Sequence, residues 1–374
     1  MKIGIICYAS HGGSGIVATE LGAALAALGH EIHFITNDVP VRMKRFSENL
    51  FFHRVEVDVY PVFPHPLYSL NLAAKILDVI RVHGLDVIHA HYAVPHATCA
   101  YLAREMRRPC DVATVTTLHG TDITLVGVKP SFYEITRFSI QQSDRVTAVS
   151  EWLRERTYES FDLGDKEISV VTNWVDSDRY RPLKSRRKRS PYSAEGEFVL
   201  MHASNFRPVK NVPVIIQVFR ELRKKYPVRL LMVGDGPELS KAEDDVRRDG
   251  TADAVHFLGA QEYLEDVLPL ADLFLLPSEH ESFGLAALEA MSAGVGVVAT
   301  NQGGTREIIQ HGENGFLHDP HDVAGMVATI AGVLEDPARL DSIEREARRT
   351  AVERFGPERA VAQYLSIYED ALGR

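Results

Sequence analysis

Short apolar runs alternate along this chain with longer stretches whose apolar residues recur at helical spacing. Residues 2–8 contain the run Ile3-Gly4-Ile5-Ile6-Cys7, and residues 31–36 form a second run of strand length. Between them, residues 16–28 set Val17, Leu21, Leu25 and Leu28 on one helical face and stop at Gly29. Gly12-Gly13-Ser14-Gly15 reads as the loop joining strand to helix. The pattern next predicts a strand over 51–60, a loop broken by Pro61, Pro64 and Pro66, and a helix near 70–82. Buried strands follow at 86–90, 112–117, 145–149 and 168–171, with Ser150 capping a helix after the third of these.

The alternation then repeats. Strands are predicted at 198–202, 228–233, 254–258, 272–276 and 296–300, and helices at 212–225, from Tyr263, and at 357–372. Gly234-Asp235-Gly236-Pro237 and Gly312-Glu313-Asn314-Gly315 read as turns, and Gly259 and Gly303-Gly304 stand at strand ends. Pro277 breaks the strand at 272–276, and Gly284 admits a tight turn into a helix striped by Leu285, Leu288 and Met291. Alternation of this kind predicts an α/β protein with two Rossmann-like, doubly wound domains. Residues 181–191 hold Arg181, Lys184, Arg186, Arg187, Lys188 and Arg189, a solvated charge run that marks the interdomain region. The domains are set at 1–172 and 173–356.

Composition supports this division. A chain of 374 residues is too long for one ordinary core, and 45% hydrophobic with 25% charged residues is the make-up of a soluble globular protein. A net charge of −10 argues against a dedicated nucleic-acid binder. Cys7, Cys99 and Cys110 show no pairing or metal-ligand spacing and read as small apolar residues in a reducing compartment. No uncharged run approaches the roughly 18–20 residues of a membrane span, so a cytoplasmic protein with no membrane or nucleic-acid partner is expected.

The candidate chemistry sits at strand ends, where ligands bind in open α/β sheets. Glu281 and Glu289 lie eight residues apart, one before and one along the same helix, and can share a ligand lying at the helix N-terminus. Taken alone, such a pair also fits two solvated surface residues. Asn205-Phe206-Arg207-Pro208-Val209-Lys210 follows the strand at 198–202, and Arg207 and Lys210 are placed to meet a diphosphate. Gly13-x-Gly15-x-x-Ala18 satisfies a dinucleotide fingerprint. However, Ala9-Ser10-His11-Gly12 intervene where the turn should be immediate. His89, His91 and His96 invite a metal reading, but their spacing lacks a supporting ligand pair, and structural or substrate-contacting histidines fit better.

Glu281 and Glu289, with Ser282-Phe283-Gly284 between them and Asn301-Gln302-Gly303-Gly304 downstream, resemble the paired-glutamate motif of retaining two-domain (GT-B) glycosyltransferases. Gly12-Gly13-Ser14-Gly15, His89-Ala90-His91-Tyr92-Ala93-Val94-Pro95-His96 and Thr116-Thr117-Leu118-His119-Gly120-Thr121-Asp122 narrow the resemblance to the N-acetylglucosaminyl L-malate synthases of bacillithiol biosynthesis. The resemblance covers essentially the whole chain. It implies two domains facing a central cleft, with residues 357–374 packing back on the first. It implies transfer of N-acetylglucosamine from UDP-N-acetylglucosamine to L-malate, both of them substrates, with no cofactor and no metal. The implied donor residues are Gly13, Ser14, Arg207, Lys210, Gly259, Glu281, Phe283, Gly284, Leu285 and Glu289. The implied acceptor residues are Ser14, Tyr92, Thr117, His119 and Asn205, and His119, Glu281, Arg207 and Lys210 are the implied catalytic groups. The family's arginine stands five residues before its lysine, where this chain has Asn205. Self-association is compatible with this reading. The alternatives are a transferase of the same fold with an inositol phosphate or lipid acceptor, and a dinucleotide-dependent oxidoreductase.

Overall fold

The computed structural model describes residues 1–9, 12–40, 42–43, 47–57, 65–183 and 191–373. The chain divides into two compact units, Met1–Asn173 with Pro357–Arg374, and Trp174–Gly356. The first unit is built on β1 (Lys2–Ile6), β2 (Glu31–Thr36), β3 (Leu50–Arg54), β4 (Val87–His91), β5 (Ala113–Leu118), β6 (Arg145–Ala148) and β7 (Ile168–Val170). These strands pair in the order β3-β2-β1-β4-β5-β6-β7, and every pairing is parallel. Parallel neighbours cannot be joined by a hairpin, so most crossovers are helical. They are α1 (Gly13–Ala27), α2 (Tyr68–His83), α3 (Thr98–Met106), α4 (Pro130–Gln142) and α5 (Glu151–Ser160). Both faces of the sheet are therefore covered, and Ile3, Ile5, Ile6, Val87, Ile88 and Val115 are fully buried.

The second unit repeats the plan with β8 (Phe198–Ala203), β9 (Val228–Val233), β10 (Val255–Gly259), β11 (Leu273–Leu276), β12 (Gly296–Thr300) and β13 (Phe316–His318). Their order is β10-β9-β8-β11-β12-β13, again all parallel. Its helices are α6 (Val212–Arg223), α7 (Leu239–Arg248), α8 (Leu264–Val267), α9 (Leu285–Ser292), α10 (Thr305–Ile308), α11 (Val323–Glu335) and α12 (Pro337–Arg354). Ile215, Phe219 and Leu222 of α6 pack with Leu230, Met232 and Ile330 to form its core.

The last helix, α13 (Pro357–Ala371), belongs to the first unit. Tyr364 and Tyr368 are its buried anchors. The Tyr368 hydroxyl lies 2.8 Å from His89 Nδ1, His89 Nε2 lies 2.7 Å from Thr117 Oγ1, and Thr117 Oγ1 lies 3.2 Å from the Tyr364 hydroxyl. Arg145 pairs with Asp370 at the helix's far end. A polar chain enclosed in this way is stable because each member has a partner.

Some expectations are corrected. The glycine stretch is not a loop: α1 starts at Gly13, with Gly12 as extended N-cap accepting from Gly15 and Ile16 N–H. Leu28 falls past the helix and is 60% exposed, so the buried face is Val17, Leu21 and Leu25. Of the strand expected over 51–60, the described residues form Leu50–Arg54 and leave 55–57 outside it. Residues 58–60, Pro61, Pro64, Ser10, His11, Lys184, Arg186, Arg187, Lys188 and Arg189 lie outside the described residues. Cys7 and Cys99 are buried, and burial pushes both thiols up to about 12, whereas Cys110 is half-buried. Among the described residues no helix is long and apolar enough to cross a membrane.

Tyr368→Phe removes a buried hydroxyl and leaves His89 Nδ1 without its partner. Unfolding in urea should show a loss of about 1–3 kcal/mol, the usual cost of an orphaned buried polar group. An unchanged midpoint would mean that the His89–Tyr368 contact contributes nothing to holding α13.

Candidate functional site

In the second unit, the loop after β8 is shaped by backbone contact. A Cβ on Gly234 would come within 1.8 Å of Ser204 O, and one on Gly236 within 2.0 Å of Asn205 O. Both glycines also have positive φ, so the turn after β9 can press directly on residues 204–206. Phe206 is fully buried and pins this loop, leaving Asn205 and Arg207 exposed on either side of it. A single 3₁₀ turn, Pro208–Lys210, then brings Lys210 inward. Lys210 Nζ donates to Glu281 Oε1 at 2.5 Å, and Ser278 Oγ donates to the same oxygen at 2.8 Å. The two charged side chains are only 21% and 12% exposed, which makes this a screened, partly desolvated pair rather than a surface contact.

Glu281 is held from behind. Glu281 N donates to Gln302 O at 3.1 Å, Gly304 N donates to Glu281 O at 2.8 Å, and Glu279 N donates to Val209 O at 2.9 Å. A Cβ on Gly303 would lie 2.0 Å from Glu281 O, so that glycine is a requirement of the close approach. Gly284 caps α9 with φ 94, and Glu289 lies on that helix, 4% exposed. Neither glutamate is the solvated surface residue that a random pair would be. Phe283 departs from expectation: it is 2% exposed and packs edge-on against Phe355 at 5.9 Å, so only its main chain is free to meet a donor. Leu285 is half-buried in the first turn of α9, and Gly259 ends β10 with its carbonyl accepting from Gly234 N at 2.8 Å.

In the first unit, Tyr92 leaves β4 with φ 95 and His119 leaves β5, placing both past the last ladder pair. Ser14 Oγ donates to the Tyr92 hydroxyl at 2.7 Å, and the Tyr92 ring meets His119 edge-on at 5.2 Å. Three sequence-distant residues thus share one patch. Burial pushes the Tyr92 phenol up to about 12 and the His119 imidazole down to about 3, so both are neutral hydrogen-bonding groups at pH 7. Gly13 and Ser14 begin α1, which no side chain among the described residues caps; its first-turn N–H groups favour an anion.

Thr117 does not join this patch. It is fully buried, and its hydroxyl is shared among His89, Thr147 and Tyr364, so the expected side-chain contact with an acceptor gives way to a structural role. Three residues support the site, of which sequence reasoning gave a role only to His91, as a structural or substrate-contacting histidine. Asp122 accepts from Ala93, His119 and Gly120 N–H at 2.9, 3.1 and 3.0 Å, fixing the loop that carries His119. His91 Nδ1 lies 2.9 Å from His119 Nε2, and Ser278 braces Glu281. The familiar Asx turn places the aspartate before the amide it binds, whereas Asp122 follows His119 and Gly120, so no local turn signal announces it. Nothing local announces Ser278.

A model of "Glycosyl transferases group 1" matches residues 184–350, and one of "Glycosyltransferase Family 4" matches residues 11–179. The chain is 44% identical over 373 residues to the N-acetyl-alpha-D-glucosaminyl L-malate synthase of Bacillus anthracis, covering 100% of this chain and 97% of that relative. The sucrose-phosphate synthase of Thermosynechococcus elongatus superposes with a TM-score of 0.82 at 21% identity, covering 100% and 99% of the two chains. Anabaena HepE, solved with UDP and glucose, superposes with a TM-score of 0.81 at 21% identity, covering 98% and 99%.

Burial of His89, His91 and His96 generates an acid sensitivity. All three are fully buried, and desolvation pulls their imidazoles down, His89 to about 3 and His96 to about 4. A histidine kept neutral by folding stabilises the fold above its ordinary value of 6.5 and loses that contribution as pH falls towards its folded value. The loss is about 1.4 kcal/mol per pH unit for each group. Burial raises Asp122 from 3.8 to about 6, which has the opposite sense: its stabilising contribution is present below 3.8 and is lost as pH rises through 6. These three histidines and His119, which burial also pulls down to about 3, outweigh Asp122, so thermal melting should fall steeply between pH 6.5 and pH 5. A flat profile would show these histidines already charged in the fold.

Proposed function

The chain belongs to the group 1 glycosyl transferases of GT-B fold, and we propose that it moves N-acetylglucosamine from UDP-N-acetylglucosamine to the hydroxyl of L-malate. The observation that carries this reading is whole-length similarity to an enzyme named for that product. The UDP held by a fold neighbour supports the donor class. Glu281 accepts from hydroxyls of the sugar and Glu289 from those of the ribose. Lys210, paired with Glu281, meets the diphosphate, with exposed Arg207 on the same loop. Negative charge grows on the diphosphate as the glycosidic bond breaks, so a cation there stabilises the transition state more than the ground state.

Ser14, Tyr92 and His119 hold the acceptor as neutral donors, with the N–H groups of Gly13 and Ser14 suiting its carboxylates. Asn205, exposed after β8, is a further candidate contact. No side chain is assigned as a nucleophile. The malate oxygen attacks the anomeric carbon on the face that the diphosphate leaves. A phosphate oxygen of the leaving group takes the hydroxyl proton, and UDP departs with configuration retained.

Glu281→Ala should cost about 2–4 kcal/mol of transition-state stabilisation, read as kcat/KM from UDP release. Wild-type turnover by a folded variant would place the donor site elsewhere. Succinate, which lacks the hydroxyl, should bind without accepting sugar, and lactate, which lacks one carboxylate, should bind more weakly by about 1–3 kcal/mol. Equal rates with malate, lactate and glycerol would sink the dicarboxylate acceptor and leave the transferase assignment standing. Chelator should leave initial rates unchanged, and restoration of a chelator-abolished rate by Mg²⁺ would overturn the metal-free step.

A further inference from the structure

Three histidines that take no part in the transfer converge at the edge of the first sheet. His33 lies on β2, His53 on β3, and His83 is the last residue of α2. In the β2–β3 pairing His33 faces Phe51 and Ile35 faces His53, which sets the two histidines diagonally on one face. His33 Nδ1 and His53 Nε2 are 2.8 Å apart, and the His83 ring centroid lies 4.5 Å from that of His33 and 5.1 Å from that of His53. One ring nitrogen from each of the three lies within 4.8 Å of the others. We propose that His33, His53 and His83 bind one divalent transition-metal ion of the zinc type, with the fourth position left to water.

The donor set suits that ion, since imidazole nitrogen is a preferred ligand for Zn²⁺ and three histidines with an open position are an established zinc arrangement. Ligands about 2.0–2.1 Å from a tetrahedral centre stand roughly 3.4 Å apart, a spacing that the present separations of 2.8 Å and up to 4.8 Å bracket. The second nitrogen of His33 is already committed: Nε2 lies 2.9 Å from Glu31 Oε1. A carboxylate on the outer nitrogen of a ligating histidine fixes its tautomer and leaves Nδ1 as the bare lone pair, here aimed at His53. Lys2 Nζ shares that carboxylate at 3.3 Å, which keeps Glu31 as an outer partner rather than a direct ligand. The Phe51 ring stacks on His33 at 4.9 Å and closes one side, while His53 and His83 are half-buried and leave access from solvent. A simple histidine–histidine hydrogen bond accounts for two of these rings. It does not account for the third, brought in from another element. Bound metal would tie edge strand β3 to β2 and to the end of α2.

The test uses the metal-free full chain titrated with Zn²⁺ against a chromophoric chelator, alongside His53→Ala, His83→Ala and, as a control, His65→Ala at an exposed position of the same unit. One ion per chain, a rise in melting temperature with Zn²⁺, and at least tenfold weaker binding in both site variants but not in the control are expected. The wild-type transfer rate should be the same with and without the ion. Binding as tight in His53→Ala and His83→Ala as in wild type, or no wild-type binding below millimolar Zn²⁺, would overturn the site.

Discussion

Parallel strand pairing is the constraint on which the rest of this protein depends. Every strand of both sheets runs the same way as its neighbours, so all carboxyl ends of a sheet emerge along one edge. Tyr92, His119 and the 204–210 loop directly follow β4, β5 and β8, and Glu281 and Gly303, bridged to each other, lie in the loops after β11 and β12. The sheets impose a second demand, that helices cover both faces, and this in turn confines polar side chains to the strand ends or to closed networks such as His89–Thr117–Tyr364–Tyr368.

The two units present an anion with different chemistry. In the first, burial keeps His119 and Tyr92 neutral, and binding power lies in hydrogen-bond donors and the open turn of α1. In the second, Glu281 holds Lys210 and is itself braced by Ser278. A lone ammonium this shielded would be costly, and the pair removes that cost while leaving the lysine able to exchange one anionic partner for another. The close approach of Gly303 to Glu281 and of Gly234 to Ser204 makes the arrangement rigid, because main chain, unlike a long side chain, has little room to give.

Much of this was legible in the residues. Strands of unbroken apolar character, the Gly29 stop, the Ser150 cap (which accepts from Leu153 N at 3.0 Å) and the paired glutamates all carry local signals. What was missed lacks them. Leu102, Met106, Phe132 and Ile135 are exposed apolar residues, so α3 and α4 show no clean stripe. The interior of α12 is charged, yet its spacing Leu340, Ile343, Ala347, Ala351 is a buried helical face visible in hindsight. The histidine site at the sheet edge was out of reach for another reason. His33, His53 and His83 are spread over 50 residues of chain and meet only once strand register and the end of α2 are known.

Thr117 and Phe283 show why nearness to a motif is not nearness to a ligand. Thr117 is two residues before His119, but it is still inside β5, paired with His91 on one side and Thr147 on the other. Its side chain belongs to the layer between sheet and α13. His119 comes after the last pair, and Asp122 turns its backbone outward. Phe283 sits between Glu281 and Gly284, yet the tight turn that frees the glutamate drives the ring into the core against Phe355. Beyond the carboxyl end of a parallel strand, a side chain is free to meet a ligand only once its residue is released from backbone pairing. Its neighbours on either side are what hold it there.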